Sequence, residues 1–252
     1  MTVVKVCGLR ELPHMLAAAD AGADLLGINF VPGARRQVTP EQGREMARAF
    51  RETHVASGPL TQNEESRVAR DLGASLGAGL ALLVGLFADQ PASEVNQVAE
   101  AVGLDAVQLC GDEPPEYWAR IERPILKVVP VIGAPEGSGA RRDAFLAALD
   151  ERLRAVADAG HLAILDRRSE TPGDWGGTGH TFDWTIARDL AAAGHRFLLA
   201  GGLNPENVGA AIETVAPFGV DVSSGVETDG VKDVERIRAF VEAARGSEAR
   251  HG

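Results

Sequence analysis

Eight short apolar runs, each followed by a stretch with helical spacing or helix punctuation, constrain this chain more than any other feature. They are Val3 to Cys7, Leu25 to Phe30, Ala81 to Phe87, Ala106 to Leu109, Ile125 to Val131, Leu162 to Asp166, Phe197 to Ala200 and Val220 to Ser223. Most are continuous instead of alternating. A strand with one face in water alternates, whereas a strand covered on both faces of a parallel sheet does not. Eight such strands interleaved with helices over 252 residues predict an α/β protein, a single (β/α)8 TIM barrel domain over residues 1–252. An open doubly wound sheet is the structural alternative, but its dinucleotide fingerprint is missing after strand one, where Cys7-Gly8-Leu9 stands.

Helix boundaries carry their own signals. Thr39, Pro40 and Gln42 supply a capping hydroxyl, a first-turn proline and a capping-box partner ahead of Arg44 to Arg51. Asn204-Pro205 repeats the arrangement ahead of the apolar face of Val208, Ala211, Ile212 and Val215, and Gly103 reads as a C-terminal glycine. A further helix is expected over Arg141 to Ala157. Two stretches interrupt the alternation. Residues 52–79 (Glu52 to Gly79) form a polar, small-residue link between helix two and strand three, with a possible helical turn at Arg67 to Leu72, and Gly133 to Gly139 precedes the fifth-strand helix. Both are expected to be peripheral, the first as an insertion.

Charge and cysteine content exclude several classes of function. A formal charge of −11 disfavours tracking nucleic-acid phosphates, which requires a basic surface. The longest nearly apolar run, Ala78 to Ala88, is too short to span a membrane, and no signal-peptide pattern opens the chain, so a cytoplasmic protein is expected. Cys7 and Cys110, the two cysteines, have no C-x-x-C spacing and read as reduced thiols; the histidines show no metal-ligand spacing, so no metal site is expected.

Barrel ligands meet the C-terminal strand ends, and those ends are polar here. They read Lys5-Val6-Cys7-Gly8, Gln108-Leu109-Cys110-Gly111, Leu165-Asp166, Ala200-Gly201-Gly202 and Asp221-Val222-Ser223-Ser224-Gly225. Gly201, Gly202, Ser223, Ser224 and Gly225 combine close backbone approach with N–H and hydroxyl donors, and Gly176-Gly177-Thr178-Gly179 adds a third glycine loop, so a phosphate grip is expected there. Cys7 serves as a base only as thiolate, with Lys5 two residues earlier as the cation that would lower its pKa; a small buried residue is the simpler reading of the residue alone. Lys5 and Asp221 should pair inside the barrel, since closure makes strands one and eight neighbours. Asp166 closes an apolar run and must find a partner, cap a helix or do chemistry. Arg36 suits a bidentate carboxylate grip or a solvated turn, and Gly111-Asp112 reads as a helix cap.

Taken together, these blocks resemble the phosphoribosylanthranilate isomerase family of tryptophan biosynthesis over nearly the whole chain. The resemblance rests on Lys5-Val6-Cys7-Gly8, Gly27-Ile28-Asn29-Phe30 through Arg36, Ala106-Val107-Gln108-Leu109, Leu165-Asp166, Gly176 to Gly179 with Thr181-Phe182-Asp183-Trp184, Ala200 through Asn207, and Val220 through Glu227. It implies Cys7 as general base, Asp166 as general acid and Arg36 as the grip on the anthranilate carboxylate. Gln108 counts as a substrate contact, and the phosphate falls to the loops that include Gly177, Gly179, Gly201, Gly202 and Ser223 to Gly225. The implied reaction is a cofactor-free Amadori rearrangement of a phosphorylated small molecule by a monomer or homodimer. Departures are Ala34 where the family often has serine, Cys110 where it usually has histidine, and the long 52–79 segment. A bifunctional isomerase that also takes the histidine-pathway aminoaldose, and an idle phosphoribosyl-binding scaffold, are the rival functions.

Overall fold

The computed structural model describes residues 2–54, 81–134, 137–167 and 182–246. Eight parallel strands close into a barrel in chain order: β1 (Val3–Val6), β2 (Leu25–Asn29), β3 (Leu82–Phe87), β4 (Ala106–Leu109), β5 (Ile125–Val131), β6 (Leu162–Arg167), β7 (Phe197–Leu199) and β8 (Gly219–Val222). The ring is closed by β1 and β8, paired from Val3 opposite Gly219 to Val6 opposite Val222. All eight expected strands form, with ends displaced by one residue at several positions.

The described helices are α1 (Leu12–Asp20), α2 (Pro40–Thr53), α3 (Ala92–Val102), α4 (Pro115–Trp118), α5 (Ala140–Asp158), α6 (Trp184–Ala192), α7 (Val208–Val215) and α8 (Val234–Gly246). The capping box at α2 forms in both directions: the Gln42 backbone N–H donates to Thr39 Oγ1 at 3.2 Å and the Thr39 N–H to Gln42 Oε1 at 2.9 Å. Gly103 ends α3 in the left-handed conformation, φ 75°. The 55–80 segment, most of the expected insertion, lies outside the described residues.

Two expectations about helix starts need correction. Regular helix α7 begins at Val208, not after Pro205; the Asn204 carboxamide instead caps the turn before it, accepting from the N–H groups of Glu206 and Asn207 at 3.0 Å each. Asp112 does not cap a helix. The residue before a proline is driven to extended backbone, so the pair Pro114-Pro115 delays α4 to Pro115, and the Asp112 N–H turns to Asp89 Oδ1 at 2.9 Å.

Continuity of the apolar runs has a direct structural cause. Buried side chains sort into two clusters, one made of strand residues and the helices around them, and a second with no helix residue at all: Val3, Cys7, Leu25, Val84, Leu86, Cys110, Leu126, Val128, Ile164, Leu198 and their neighbours. The second cluster is the barrel interior. Alternate residues of each strand feed one cluster or the other, so both strand faces must be apolar. By the same alternation Lys5, Gln108, Asp166 and Asp221 belong to the inward face.

Candidate active site

Cys7 follows β1 at the C-terminal rim, buried, with its N–H donating to the Val222 carbonyl at 2.8 Å. Space for its thiol comes from β2. A Cβ at Gly27 would lie 3.1 Å from Cys7 Sγ and 3.0 Å from Cys7 Cα, so the thiol occupies the place a side chain at position 27 would fill.

Lys5 and Asp221 face each other as the closure argument requires. Their Cα positions are register partners across β1 and β8, and Lys5 Nζ donates to Asp221 Oδ1 at 2.9 Å with the lysine fully buried. Burial opposes the lysine charge, but the Asp221 carboxylate and the Cys7 group outweigh it, and Lys5 is held above the ordinary lysine range. For the thiol the balance falls the other way. Burial pushes Cys7 up, and although Lys5 and Lys232 pull it down, the net displacement is upward. The expected lowering of the Cys7 pKa by Lys5 is therefore present as a contribution and overridden by desolvation.

Gln108 and Cys110 sit across the barrel on β4 and its end. The Gln108 amide donates to Cys110 Sγ at 3.3 Å, while its Oε1 is buried and has no partner among the described residues. Burial, then the nearby Cys7 group, push the Cys110 thiol up to about 12. Asp166 lies near the end of β6, half-buried beside the β7 loop, with Oδ1 3.3 Å from the point where a Gly201 Cβ would stand.

The loops after β7 and β8 approach each other at backbone distance. A Cβ at Gly225 would lie 1.8 Å from the Leu203 carbonyl oxygen, so this glycine is required by packing as well as by any ligand. Among the described residues, the N–H groups of Gly201, Gly202, Ser224 and Gly225 donate to no acceptor. The Ser223 hydroxyl donates to the Cys7 carbonyl at 3.2 Å and ties β8 to β1. Gly177 and Gly179 lie outside the described residues.

Arg36 reaches the same rim and meets a carboxylate there, one supplied by the protein. Its Nε donates to Glu227 Oε1 at 2.6 Å and its Nη2 to Glu227 Oε2 at 2.8 Å. Glu227 and its partner Lys232 were not singled out in the sequence as site residues. Residues 227–232 form a small antiparallel hairpin, β9 (Glu227–Thr228) and β10 (Val231–Lys232), turned by Asp229-Gly230. Asp-Gly between short strands is a hairpin signal, and it was available at this position. Among the described residues no helix is long and apolar enough to cross a membrane, and no group of three or more His, Cys, Asp or Glu has metal-holding geometry.

The family model for "N-(5'phosphoribosyl)anthranilate (PRA) isomerase" matches residues 62–243. The N-(5'-phosphoribosyl)anthranilate isomerase of Roseiflexus castenholzii is 40% identical over 247 residues, covering 97% of this chain and 99% of the relative. A "multifunctional tryptophan biosynthesis protein" of Phycomyces blakesleeanus is 35% identical over 96% of this chain, which spans 32% of that longer protein. Among solved structures, phosphoribosyl anthranilate isomerase from Thermotoga maritima has a TM-score of 0.70 and 32% identity, covering 98% of this chain and 100% of its own. Another, solved with reduced 1-(o-carboxyphenylamino)-1-deoxyribulose 5-phosphate, has a TM-score of 0.69 and 30% identity over 98% of this chain and 100% of its own.

Proposed function

The chain belongs to the N-(5'-phosphoribosyl)anthranilate isomerase family of tryptophan biosynthesis, and from that premise we propose that it rearranges N-(5'-phosphoribosyl)anthranilate with Cys7 as general base and Asp166 as general acid. The observation that carries this reading is the presence of a thiol and a carboxyl on the inward face of one rim. The same rim bears backbone amides that donate to no acceptor among the described residues, suited to a phosphate, and an arginine suited to a carboxylate.

Protonated Asp166 gives its proton to the furanose ring oxygen as the C1–O bond breaks and the amine nitrogen forms the C1=N iminium. The Cys7 thiolate then takes the C2 proton, and the released electron pair forms C1=C2 and neutralises the nitrogen. Tautomerisation of that enol puts a proton on C1 and leaves the ketone of the 1-deoxyribulose 5-phosphate product. No electron acceptor is required. Each positioned acid or base contributes about 10²- to 10⁴-fold in rate.

A thiol raised by burial is poorly ionised on its own. In the complex, the iminium charge of the opened substrate joins Lys5 and Lys232 in favouring the thiolate, so the base is strongest when the acidic C2 proton is present. The phosphate is taken by the amides of Gly201, Gly202, Ser224 and Gly225, with Gly177 and Gly179 on the third loop. Gln108 Oε1 accepts a hydrogen bond from the sugar or the arylamine. The reaction is assigned to the cytoplasm, in keeping with two free thiols.

Adding the protein to freshly made phosphoribosylanthranilate and following the decay of its fluorescence tests the reading. Catalysed decay is expected; decay at the rate of buffer alone overturns it.

A further inference from the structure

The carboxylate that Arg36 binds belongs to a purpose-shaped element. Residues Thr228 and Val231 are register partners, as are Glu227 and Lys232, so the two-residue turn Asp229-Gly230 sets Glu227 directly opposite Lys232. Both turn residues have left-handed φ, 51° and 80°, which is what a tight hairpin of this kind needs. The two side chains are almost fully buried, at 5% and 4% exposure, although the hairpin is an outlying addition to the barrel. Lys232 Nζ donates to Glu227 Oε1 at 2.9 Å and to the Ser223 carbonyl at 2.7 Å, which fastens the hairpin to the end of β8.

A guanidinium offers two edges that grip a carboxylate in a fork, the side-on edge of Nε with one Nη and the end-on edge of both Nη nitrogens. Glu227 takes the side-on edge of Arg36. Among the described residues Nη1 has no acceptor, so the end-on edge is unspent. Charge also matters here. Glu227 is bonded by three cations, Arg36, Lys232 and the exposed Arg35 at 3.2 Å, so the cluster remains cationic after its own carboxylate is counted. A second, incoming carboxylate meets attraction, not repulsion. The Arg36 side chain lies close over Gly8, immediately after the proposed base.

From this geometry we infer that Glu227 is a positioning residue: it clamps Arg36 by its side-on edge so that the end-on edge takes the carboxylate of the substrate's arylamine half, while Lys232 anchors the clamp and keeps the cluster cationic. The inference rests on the isomerase reading above. It assigns the 227–232 hairpin to recognition of the aromatic acid and separates that role from phosphate binding and from proton transfer.

Steady-state kinetics of Glu227→Gln test it, with the reduced product analogue and ribulose 5-phosphate as competing ligands. Freeing the guanidinium is expected to raise KM for phosphoribosylanthranilate, and to weaken the reduced analogue, by about tenfold or more, the scale of one charge-assisted hydrogen-bonded contact. The kcat should stay within about threefold, and ribulose 5-phosphate, which has no aryl carboxylate, should compete as in the wild type. In an Arg36→Met background the same change should add little to KM, because Glu227 acts only through Arg36. Glu227→Asp should recover part of the loss. A role confined to folding would lower thermal stability and the active fraction with KM unchanged, and that result overturns the inference. So does an equal weakening of ribulose 5-phosphate. If Glu227→Gln does not fold with Lys232 left unpaired, Glu227→Gln with Lys232→Met removes both buried charges, and there the readout is KM for phosphoribosylanthranilate against competition by ribulose 5-phosphate, not kcat, because Lys232 also favours the Cys7 thiolate. Absence of turnover in the wild type refutes the isomerase reading instead, and is distinguished by that control.

Discussion

Lys5 Nζ stands 2.9 Å from Asp221 Oδ1, bridging the two strands that close the barrel, with Cys7 one inward step further along β1. The pair keeps a buried lysine charged beside the proposed base. Because the folded-state pKa of Lys5 is raised, the charge and its contribution to stability persist below the ordinary lysine value and are lost only as strongly alkaline pH is passed. Lys5→Met should therefore raise the Cys7 thiol pKa further, since a cation that pulls it down is removed and Asp221 is left uncompensated. The rate of Cys7 alkylation against pH checks this. Equal apparent pKa values in two folded proteins would remove Lys5 from the chemistry.

Asp166→Asn keeps the shape of the proposed acid and deletes its proton. A loss in kcat of about 10²- to 10⁴-fold is expected, with the reduced product analogue binding within a few-fold of wild type. Near-normal kcat would falsify the assignment.

Gly27 faces Cys7, and a methyl group there would lie 3.1 Å from the thiol sulfur. Gly27→Ala should leave the barrel folded and displace the thiol, lowering kcat and changing the alkylation rate of Cys7 with little effect on competing phosphates. Wild-type kcat together with wild-type alkylation would show that the thiol has other room.

Gly225→Ala drives a methyl into the Leu203 carbonyl, so the loops after β7 and β8 must separate. Weaker inhibition by inorganic phosphate and a lowered melting temperature are expected together. Weaker inhibition with an unchanged melting temperature would mean that the close approach is not structural.

Burial raises and Arg36 and Lys232 more strongly lower the Glu227 pKa, which is brought down to about 2 from the usual 4.5. A depressed carboxylate contributes stability above its unfolded value and loses it as pH falls through the folded one, so this contribution fades between about pH 4.5 and 2. Glu227→Gln should flatten the acid loss of stability in that window, as read from denaturant melts at successive pH values. A parallel pair of curves would contradict the buried ion cluster.

Much of this architecture was legible in the sequence, for a physical reason. Strands covered on both faces read as unbroken apolar runs, and Thr39-Pro40 with Gln42 and Gly103 mark helix ends through local backbone chemistry. Chain closure, with each residue two positions before a strand-end functional group, paired Lys5 with Asp221. What escaped depends on distant partners. The space Gly27 leaves for Cys7 arises from the register of neighbouring strands, and the depth of burial that overrides Lys5 at the thiol is a property of the closed barrel. The Glu227 clamp escaped because β9 and β10 have two residues each, too few for alternation to register, and only the Asp229-Gly230 turn announced it. Asn204 shows the converse case, where a correct capping chemistry was read one turn ahead of the regular helix.

The proposed role of Cys7 as the base that takes the C2 proton is tested most directly by the fluorescence decay of phosphoribosylanthranilate with wild type and Cys7→Ala, each first shown by titration to bind the reduced product analogue. Rapid decay with wild type and a loss of about 10²-fold or more with Cys7→Ala at undiminished analogue affinity is the expected result. Decay by Cys7→Ala within a few-fold of wild type would contradict it and move the base elsewhere on the rim.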